Sequence, residues 1–199
     1  MKLVLASGNP GKLREIRAIL APRAIEVVAQ SALGIDEAEE PYETFVENAL
    51  AKARHASRAA GLPALADDSG LCVDALGGAP GVHSAYYAGR QGDRAQRDDR
   101  NNQKLLSNVQ GQRAAHYHCV IVLVRNPDDE KPLVAEGVWR GEIARVPRGA
   151  NGFGYDPLFY VPELGKTAAQ LDAATKNRVS HRGQALARLL LLLDGASLS

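Results

Sequence analysis

The sequence has only two cysteines, almost no net charge and no long apolar run, and each shortage excludes a class of protein. Cys72 and Cys119 are too few for a disulfide framework and fit no zinc-ligand spacing, which favours a reducing compartment. The 24 basic and 23 acidic residues leave a formal charge of +1, which argues against partners such as long nucleic acid or an anionic membrane. The apolar run 189–193 is about a quarter of a membrane span, and residues 1–7 are too short for a signal peptide. We therefore expect a cytoplasmic protein with a small-molecule ligand.

The sequence does have the composition of a folded domain. It contains 199 residues, of which 45% are hydrophobic and 24% are charged, and a chain of this kind can bury one sizeable core. It shows no internal repeat and no low-complexity linker. We expect one domain that covers residues 1–199.

Two adjacent carboxylates, Asp67 and Asp68, follow a short apolar stretch. The small and branched residues 62–66 predict a buried strand that stops at the acidic pair. Ligands of α/β sheets gather beyond the carboxyl ends of strands, so this pair indicates a bound cation or an activated water. Asp followed by Ser69 and Gly70 is also ordinary turn chemistry, and a capping turn is the alternative.

The N-terminal stretch predicts a strand, a glycine-containing loop and a helix. The start of a helix carries free backbone N–H groups and a partial positive charge, which together attract phosphate. The loop is not a P-loop, because no Ser or Thr follows its lysine. The alternative is a plain turn in which an asparagine caps the helix and a proline takes its first position. The loop residues are Ser7, Gly8, Asn9, Pro10, Gly11 and Lys12.

An acidic run, which includes Glu39 and Glu40, follows the second predicted strand. Such a run is usually a solvated surface, but Mg²⁺ prefers one or two carboxylates together with phosphate oxygens and water. Lys52 lies in the helix that comes next. It can reach a phosphate from there, although an ordinary exposed lysine is the alternative.

Further elements are predicted by capping and alternation patterns. Thr44 and Glu47 form a capping box, which predicts the start of a helix that ends near residue 60. Residues 116–125 and 133–143 predict the two strands of a hairpin. A short helix is expected near residues 167–173, before a closing helix.

A second unusual stretch, between residues 145 and 159, places Phe153 and Tyr155 among glycines. A loop that displays rings beside exposed backbone suits a planar ligand, because a base that stacks on a ring gains about 1–3 kcal/mol. The alternative is that both rings anchor the loop against the core.

Basic residues gather before the closing helix, at Lys176, His181 and Arg182. Positive charge at the start of a helix is unfavourable unless an anion or a strong acceptor is present. This mismatch indicates a binding role.

Four separated blocks resemble the non-standard purine triphosphate pyrophosphatases, the inosine/xanthosine triphosphate pyrophosphatase family. These blocks are residues 7–12, 67–71 with the glycine-rich loop 77–81, 152–157 and 180–182. The resemblance spans nearly the whole chain. It implies an elongated two-lobed α/β fold with a long central mixed β-sheet flanked by helices and an active site in the cleft between the lobes. It also implies Mg²⁺ dependence, a homodimer, and hydrolysis of ITP, dITP, XTP and dXTP to a monophosphate and pyrophosphate, which cleanses the nucleotide pool.

The resemblance also implies roles for individual residues. Asp68 would be catalytic, because it would bind Mg²⁺ and accept a proton from the attacking water, and either Glu39 or Glu40 would be a second metal ligand. The residues that would contact the phosphates are Ser7, Gly8, Asn9, Pro10, Gly11, Lys12 and Lys52. Ser69 would contact the substrate beside Asp68. The residues that would surround the base are Phe153, Gly154, Tyr155, Asp156, Lys176, His181 and Arg182.

These residue types suit that chemistry. Cleavage between the α and β phosphates needs a directed water and neutralisation of the leaving pyrophosphate. If a strand continues through Asp67 and Asp68, their side chains point to opposite sides, and only one faces the ligand. Arg182 has only donors, so it would donate a hydrogen bond to the 6-oxygen of hypoxanthine or xanthine, and a site of this kind would reject adenine by roughly 10⁴-fold.

Two other functions stay open at this stage. One is a nucleotide-binding module without turnover, in which the acidic residues only cap turns. The other is a pyrophosphatase that acts on modified pyrimidine triphosphates.

Overall fold

The computed structural model describes residues 1–196, which form a mixed seven-stranded sheet with helices. The strands are β1 (Lys2–Leu5), β2 (Glu26–Ala29), β3 (Ala64–Val73), β4 (Ala114–Val124), β5 (Leu133–Ile143), β6 (Phe159–Val161) and β7 (Lys166–Thr167). The helices are α1 (Pro10–Leu20), α2 (Phe45–Ala60), α3 (Arg94–Asn108), α4 (Ala173–Val179) and α5 (His181–Ala196).

The sheet has the strand order β2-β1-β3-β4-β5-β6-β7. Strand β1 pairs in parallel with β2 and β3, whereas β6 pairs antiparallel with β5 and β7. The parallel strands are connected through α1 and α2, as parallel pairs require. The predicted mixed α/β sheet is therefore confirmed, and the two predicted hairpin strands are neighbours as β4 and β5.

The chain divides into two compact units. Unit 1 comprises Met1–Asp68, Cys119–Gly137 and helix α5 (His181–Ala196), and unit 2 comprises Ser69–His118 and Val138–Ser180. Each unit has its own apolar core.

The core of unit 1 lies on both faces of its strands, because alternate residues of a strand point to opposite sides. Leu3 and Leu5 pack in the cluster that contains the buried residues of α1 and α5. Val4 packs in the other cluster, where α2 contributes Ala49 and Ala53. These small side chains let α2 approach the sheet closely. The helix has the predicted bounds, because Thr44 accepts a hydrogen bond from the amide of Glu47 and a left-handed Gly61 follows its last residue.

The core of unit 2 is rich in aromatic residues. The Tyr117 and Phe159 ring centroids are 4.6 Å apart, and those of Trp139 and Phe159 are 5.0 Å apart, in tilted geometry. Tilted rings at such distances gain more than their buried area alone provides.

Two predictions about local structure are wrong. The strand that was expected to stop at the acidic pair continues as β3 to Val73, so the capping turn at Asp67 and Asp68 is not formed. The reason is that Leu71 and Val73 resume the apolar pattern and are fully buried in unit 2. The short helix expected near residues 167–173 is instead a strand and a single 3-10 turn, and α4 starts only after Asp172, whose carboxylate accepts from the Thr175 amide at 2.8 Å.

Candidate active site

Asp67 and Asp68 are neighbours within β3 and contact different partners. The Lys12 Nζ lies 3.1 Å from Oδ2 of Asp67, whereas the Lys52 Nζ lies 3.0 Å from Oδ1 of Asp68. Lys12 comes from α1 and Lys52 from α2. The separation of the two carboxylates agrees with the alternation of side chains along a strand.

The cluster around Asp67 is buried and balanced in charge. Oδ2 of Asp67 accepts from Nη2 of Arg182 at 2.9 Å and from its Nε at 3.1 Å. The same guanidinium donates a hydrogen bond from its Nη1 to Oε2 of Glu15 at 2.6 Å. Burial alone would raise the pKa of Asp67, but Lys12 and Arg182 outweigh it and hold that pKa well below its usual range. The ion pairs of Asp67 link α1, β3 and α5.

The cluster around Asp68 carries an excess of negative charge. Lys52 contacts both Asp68 and Glu40, the latter at 2.5 Å, and Asn48 Nδ2 lies 3.4 Å from Oδ2 of Asp68. Burial raises the pKa of Asp68, and Glu40 adds to the rise, although Lys52 and Lys12 oppose it. Burial would lower the pKa of Lys52, but Asp68 and Glu40 outweigh it and raise that pKa. One lysine thus bridges two carboxylates.

The loop at residues 7–12 has the cap and the proline of the plain-turn alternative. Oδ1 of Asn9 accepts from the amides of Gly11 at 2.8 Å and Lys12 at 3.3 Å, and Pro10 is the first residue of α1. Oγ of Ser7 accepts from the amide of Asn9 at 3.2 Å. Two amides at the start of α1 are therefore already paired, and phosphate binding by this loop stays a prediction that rests most directly on the Lys12 ammonium.

Gly8 lies directly against a carboxylate. A Cβ at this position would be 1.9 Å from Oε1 of Glu37. Any larger residue would therefore have to displace the end of the exposed Glu37 side chain.

Of the two glutamates proposed as metal ligands, the structure favours Glu40. Glu40 shares Lys52 with Asp68, whereas in residues 1–196 the Glu39 side chain has no hydrogen bond or ion pair. Within that part of the chain, no three side chains of His, Cys, Asp or Glu gather as a complete metal site. Two carboxylates that already hold one cation between them do fit Mg²⁺, which takes its other ligands from phosphate and water.

In unit 2, Tyr155 anchors the glycine-rich loop. Its ring is buried in the core and its hydroxyl donates to the Ser84 carbonyl at 2.8 Å. Tyr155 is therefore not displayed to a ligand, and the core-anchoring alternative is correct for this ring. Phe153 is half-buried, with the Lys176 Nζ 4.8 Å from its ring centroid.

Asp156 holds the same loop together. Its Oδ2 accepts from the Phe153 amide at 2.9 Å and from Lys176, and its Oδ1 lies 3.4 Å from the Tyr117 hydroxyl. A Cβ on Gly152, which has a φ of +77°, would lie 2.0 Å from Oδ2 of Asp156. Asp156 and Lys176 thus fix the backbone that carries Phe153.

Gly154 is held from both sides by α3. Its amide donates to Asp98 at 2.8 Å, and its carbonyl accepts from Asn102 at 2.9 Å. Neither Asp98 nor Asn102 was identified from the sequence, because α3 offers only a polar helical pattern. Glu15 and Asn48 were also given no role, although each has helical spacing to a predicted site lysine, Lys12 or Lys52.

The remaining predicted residues lie in three elements, α5, α4 and β3. Arg182 and His181 begin α5 in unit 1, as expected, and both are buried. Arg182 is held by two carboxylates there, so its role as a reader of the base stays a prediction that these contacts do not favour. Lys176 lies in the last turn of α4 rather than at a helix start, and Ser69 is half-buried in β3.

Fold and geometry together define a class, namely an α/β protein with a lysine-bridged pair of carboxylates suited to a divalent cation and phosphate. The comparisons with known proteins define the group within that class. Residues 3–191 match the model of the Ham1 family, and the chain belongs to that family.

In residues 1–196, none of the helices has the length and hydropathy needed to span a bilayer.

Relatives and solved structures agree with this family. The chain is similar to the dITP/XTP pyrophosphatase of Nitrosomonas europaea, with 61% identity over 97% of this chain and 94% of the relative. The protein of the same name from Neisseria meningitidis is 59% identical over 95% and 94% of the two chains. A HAM1 protein structure from Coxiella burnetii superposes with a TM-score of 0.86 at 50% identity, covering 98% of this chain and 99% of that one. The Ham1 protein of Staphylococcus aureus gives 0.84 at 40% identity, covering 98% and 100%.

Proposed function

We propose that this protein is a nucleoside-triphosphate pyrophosphatase that hydrolyses ITP, dITP, XTP and dXTP to the monophosphate and pyrophosphate. Membership of the Ham1 family and the names of its relatives support this function. The observation that carries it is the Asp68 cluster, in which two carboxylates share one lysine and leave one net negative charge.

Asp68 is the residue that would activate water. When ionised, its carboxylate has only acceptors and can take a proton from a water molecule. Lys52 and Asn48 restrict its carboxylate to one orientation. An oriented base next to the phosphate chain lowers the barrier because little reorganisation is left for the reaction itself.

Mg²⁺ would be held by Asp68 and Glu40. When bound, this ion would neutralise phosphate charge and make water more acidic. The surrounding residues suit it, because Lys52 holds Asp68 and Glu40 at one point while the two carboxylates together exceed its charge by one.

Lys12 would contact the triphosphate at a second point. Its ammonium forms an ion pair with Asp67 at 3.1 Å, and 16% of its side-chain surface is exposed to solvent. A lysine fixed by a buried anion is already placed when the ligand arrives, so less side-chain entropy is lost on binding.

In unit 2, the Phe153 loop would bind the base. Phe153 offers a half-buried ring for stacking, and Lys176, which has only donors, lies over that ring. A donor at this place suits the 6-oxygen of hypoxanthine and xanthine better than the amino group of adenine. The proposal also retains cytoplasmic localisation and a homodimer, which the family resemblance implies.

A substrate panel tests the function. The purified protein is incubated with Mg²⁺, an added inorganic pyrophosphatase and, in separate reactions, ITP, dITP, XTP, ATP, GTP and TTP, and phosphate release is measured. Release from ITP, dITP and XTP at rates far above ATP and GTP is expected. Binding without release would favour a nucleotide-binding module, and the highest kcat/KM for TTP would favour the pyrimidine alternative.

A further inference from the structure

Arg94 is a cation that none of the assigned roles uses. It is the first residue of α3, and its guanidinium carbon lies 5.9 Å from the centroid of the Phe153 ring. In residues 1–196 this guanidinium makes no ion pair or hydrogen bond, and its Nε is shielded from solvent without a partner. A guanidinium over an aromatic ring is stabilised by the ring, but its charge and its donors remain available.

The carboxylates near this ring are committed to other groups. Asp98 accepts from the Gly154 amide, and Asp156 accepts from the Phe153 amide and from Lys176. Asp93, the residue before Arg94, caps α3 by accepting from the Gln96 amide. Lys176 therefore forms an ion pair with Asp156, whereas Arg94, which also lies over the Phe153 ring, forms none within residues 1–196.

Other cation–ring pairs in unit 2 differ in what they contact. Arg90 and Arg97 lie 4.1 Å and 5.5 Å from the Tyr86 ring centroid, and Lys104 lies 4.4 Å from that of Tyr87. Arg97 and Lys104 also donate to loop carbonyls, which gives them a structural use. Within residues 1–196, Arg94 is distinguished because it has no hydrogen bond or ion pair and lies over the ring proposed to stack on the base.

We propose that Arg94 is a specificity-determining residue that favours xanthine nucleotides over hypoxanthine nucleotides, a proposal that rests on the proposed function. Xanthine has a second ring carbonyl and is the more acidic base, because the negative charge of its anion is spread over two carbonyl oxygens. A planar guanidinium with several donors suits such an electron-rich edge. Hypoxanthine lacks the second carbonyl and gains less from the same charge.

The test compares XTP with ITP in three proteins: the native chain, Arg94→Ala and Arg94→Lys. A contact of this kind is worth about 1 kcal/mol, so Arg94→Ala is expected to lower kcat/KM for XTP about fivefold. The value for ITP is expected to change less than about twofold on the same basis. Arg94→Lys, which keeps the charge, is expected to recover part of the preference.

Arg90→Ala is the matched control, because it removes an exposed arginine from the neighbouring Tyr86 ring and leaves Phe153 untouched. It is expected to leave the ratio of XTP to ITP unchanged. Equal losses of kcat/KM on both substrates in Arg94→Ala would show that Arg94 only supports the loop. Unchanged kcat/KM on both would show that it contributes nothing to recognition. Either result would overturn the proposal. If the native chain released pyrophosphate from neither nucleotide, the proposed function itself would be wrong, which is a different outcome.

Discussion

The two carboxylates of β3 lie next to each other in the chain, yet they belong to clusters that differ in net charge. Asp67 contacts two cations, Lys12 and Arg182, and with Glu15 the cluster has no net charge. Asp68 shares a single cation with Glu40, so its cluster keeps one negative charge.

This difference separates a structural role from a chemical one. The pKa of Asp67 is held low by its two cations despite burial, whereas burial raises the pKa of Asp68 despite its lysine. Neighbouring acids with divergent pKa values are typical of sites in which one group supports and the other reacts. Strand alternation alone places them in the two environments.

The largest effect is expected from Asp68→Asn. The variant removes a base and a proposed metal ligand while keeping the shape of the side chain, so kcat for ITP should fall by about 10³-fold. Thermal unfolding should change little, since the buried charge at this position is only partly compensated. Asp128→Asn, at a largely exposed side chain, serves as the control and should retain full activity. Near-native turnover in Asp68→Asn would refute the assigned role.

Asp67→Asn is expected to act mainly on stability. It leaves the buried Arg182 guanidinium without its main partner, and breaking a buried pair of this kind costs about 3–5 kcal/mol. Urea denaturation followed by circular dichroism measures the loss. Glu15→Gln removes the more exposed partner of the same arginine and should cost clearly less, which keeps the test informative if Asp67→Asn does not fold. Equal stability of the native chain and both variants would show that the cluster around Asp67 does not stabilise the fold.

A smaller effect separates Glu40 from Glu39. Glu40→Gln should raise the Mg²⁺ concentration needed for half-maximal activity by about tenfold, because it removes a carboxylate beside Asp68. Glu39→Gln, which has the same chemistry one residue earlier, should leave that concentration unchanged. Direct Mg²⁺ titration by calorimetry provides a second measurement. A larger shift in Glu39→Gln than in Glu40→Gln would reverse the assignment of the second ligand.

The sequence was sufficient to predict the parts of this molecule that depend on local patterns. Helix α2 follows from its Thr44 cap and from the glycine after its last residue, and α1 follows from Asn9 and Pro10. The acidic pair was also identified correctly as unusual, because paired carboxylates within an apolar segment are costly unless they are compensated.

Partners that come from distant parts of the chain could not be predicted in this way. Basic residues at a helix start indicated that Arg182 binds an anion or strong acceptor, and the resemblance placed it at the base, but the anions that the structure supplies are Asp67 and Glu15. Tyr155 was expected to be displayed, but its hydroxyl finds the Ser84 carbonyl in the core. In both cases a polar group is satisfied by a residue far away in sequence, and only the tertiary fold brings them together.

The smallest expected effect concerns Asp129, at the turn after β4. Its carboxylate accepts hydrogen bonds from an arginine guanidinium, as that of Asp67 does, and we call this arrangement an arginine clamp. Arg125 donates to both oxygens of Asp129 at 2.8 Å, and these hydrogen bonds hold the pKa of that carboxyl well below its usual range. The stabilisation is therefore complete above the ordinary aspartate pKa of about 4 and is lost as the pH falls toward the lowered value. In urea titrations, Asp129→Asn should be less stable than the native chain at neutral pH, and the gap should narrow steadily below pH about 4. A gap of constant size would show that an arginine clamp does not lower the pKa of its carboxylate in this fold, and the same reasoning for Asp67 would then lose its support.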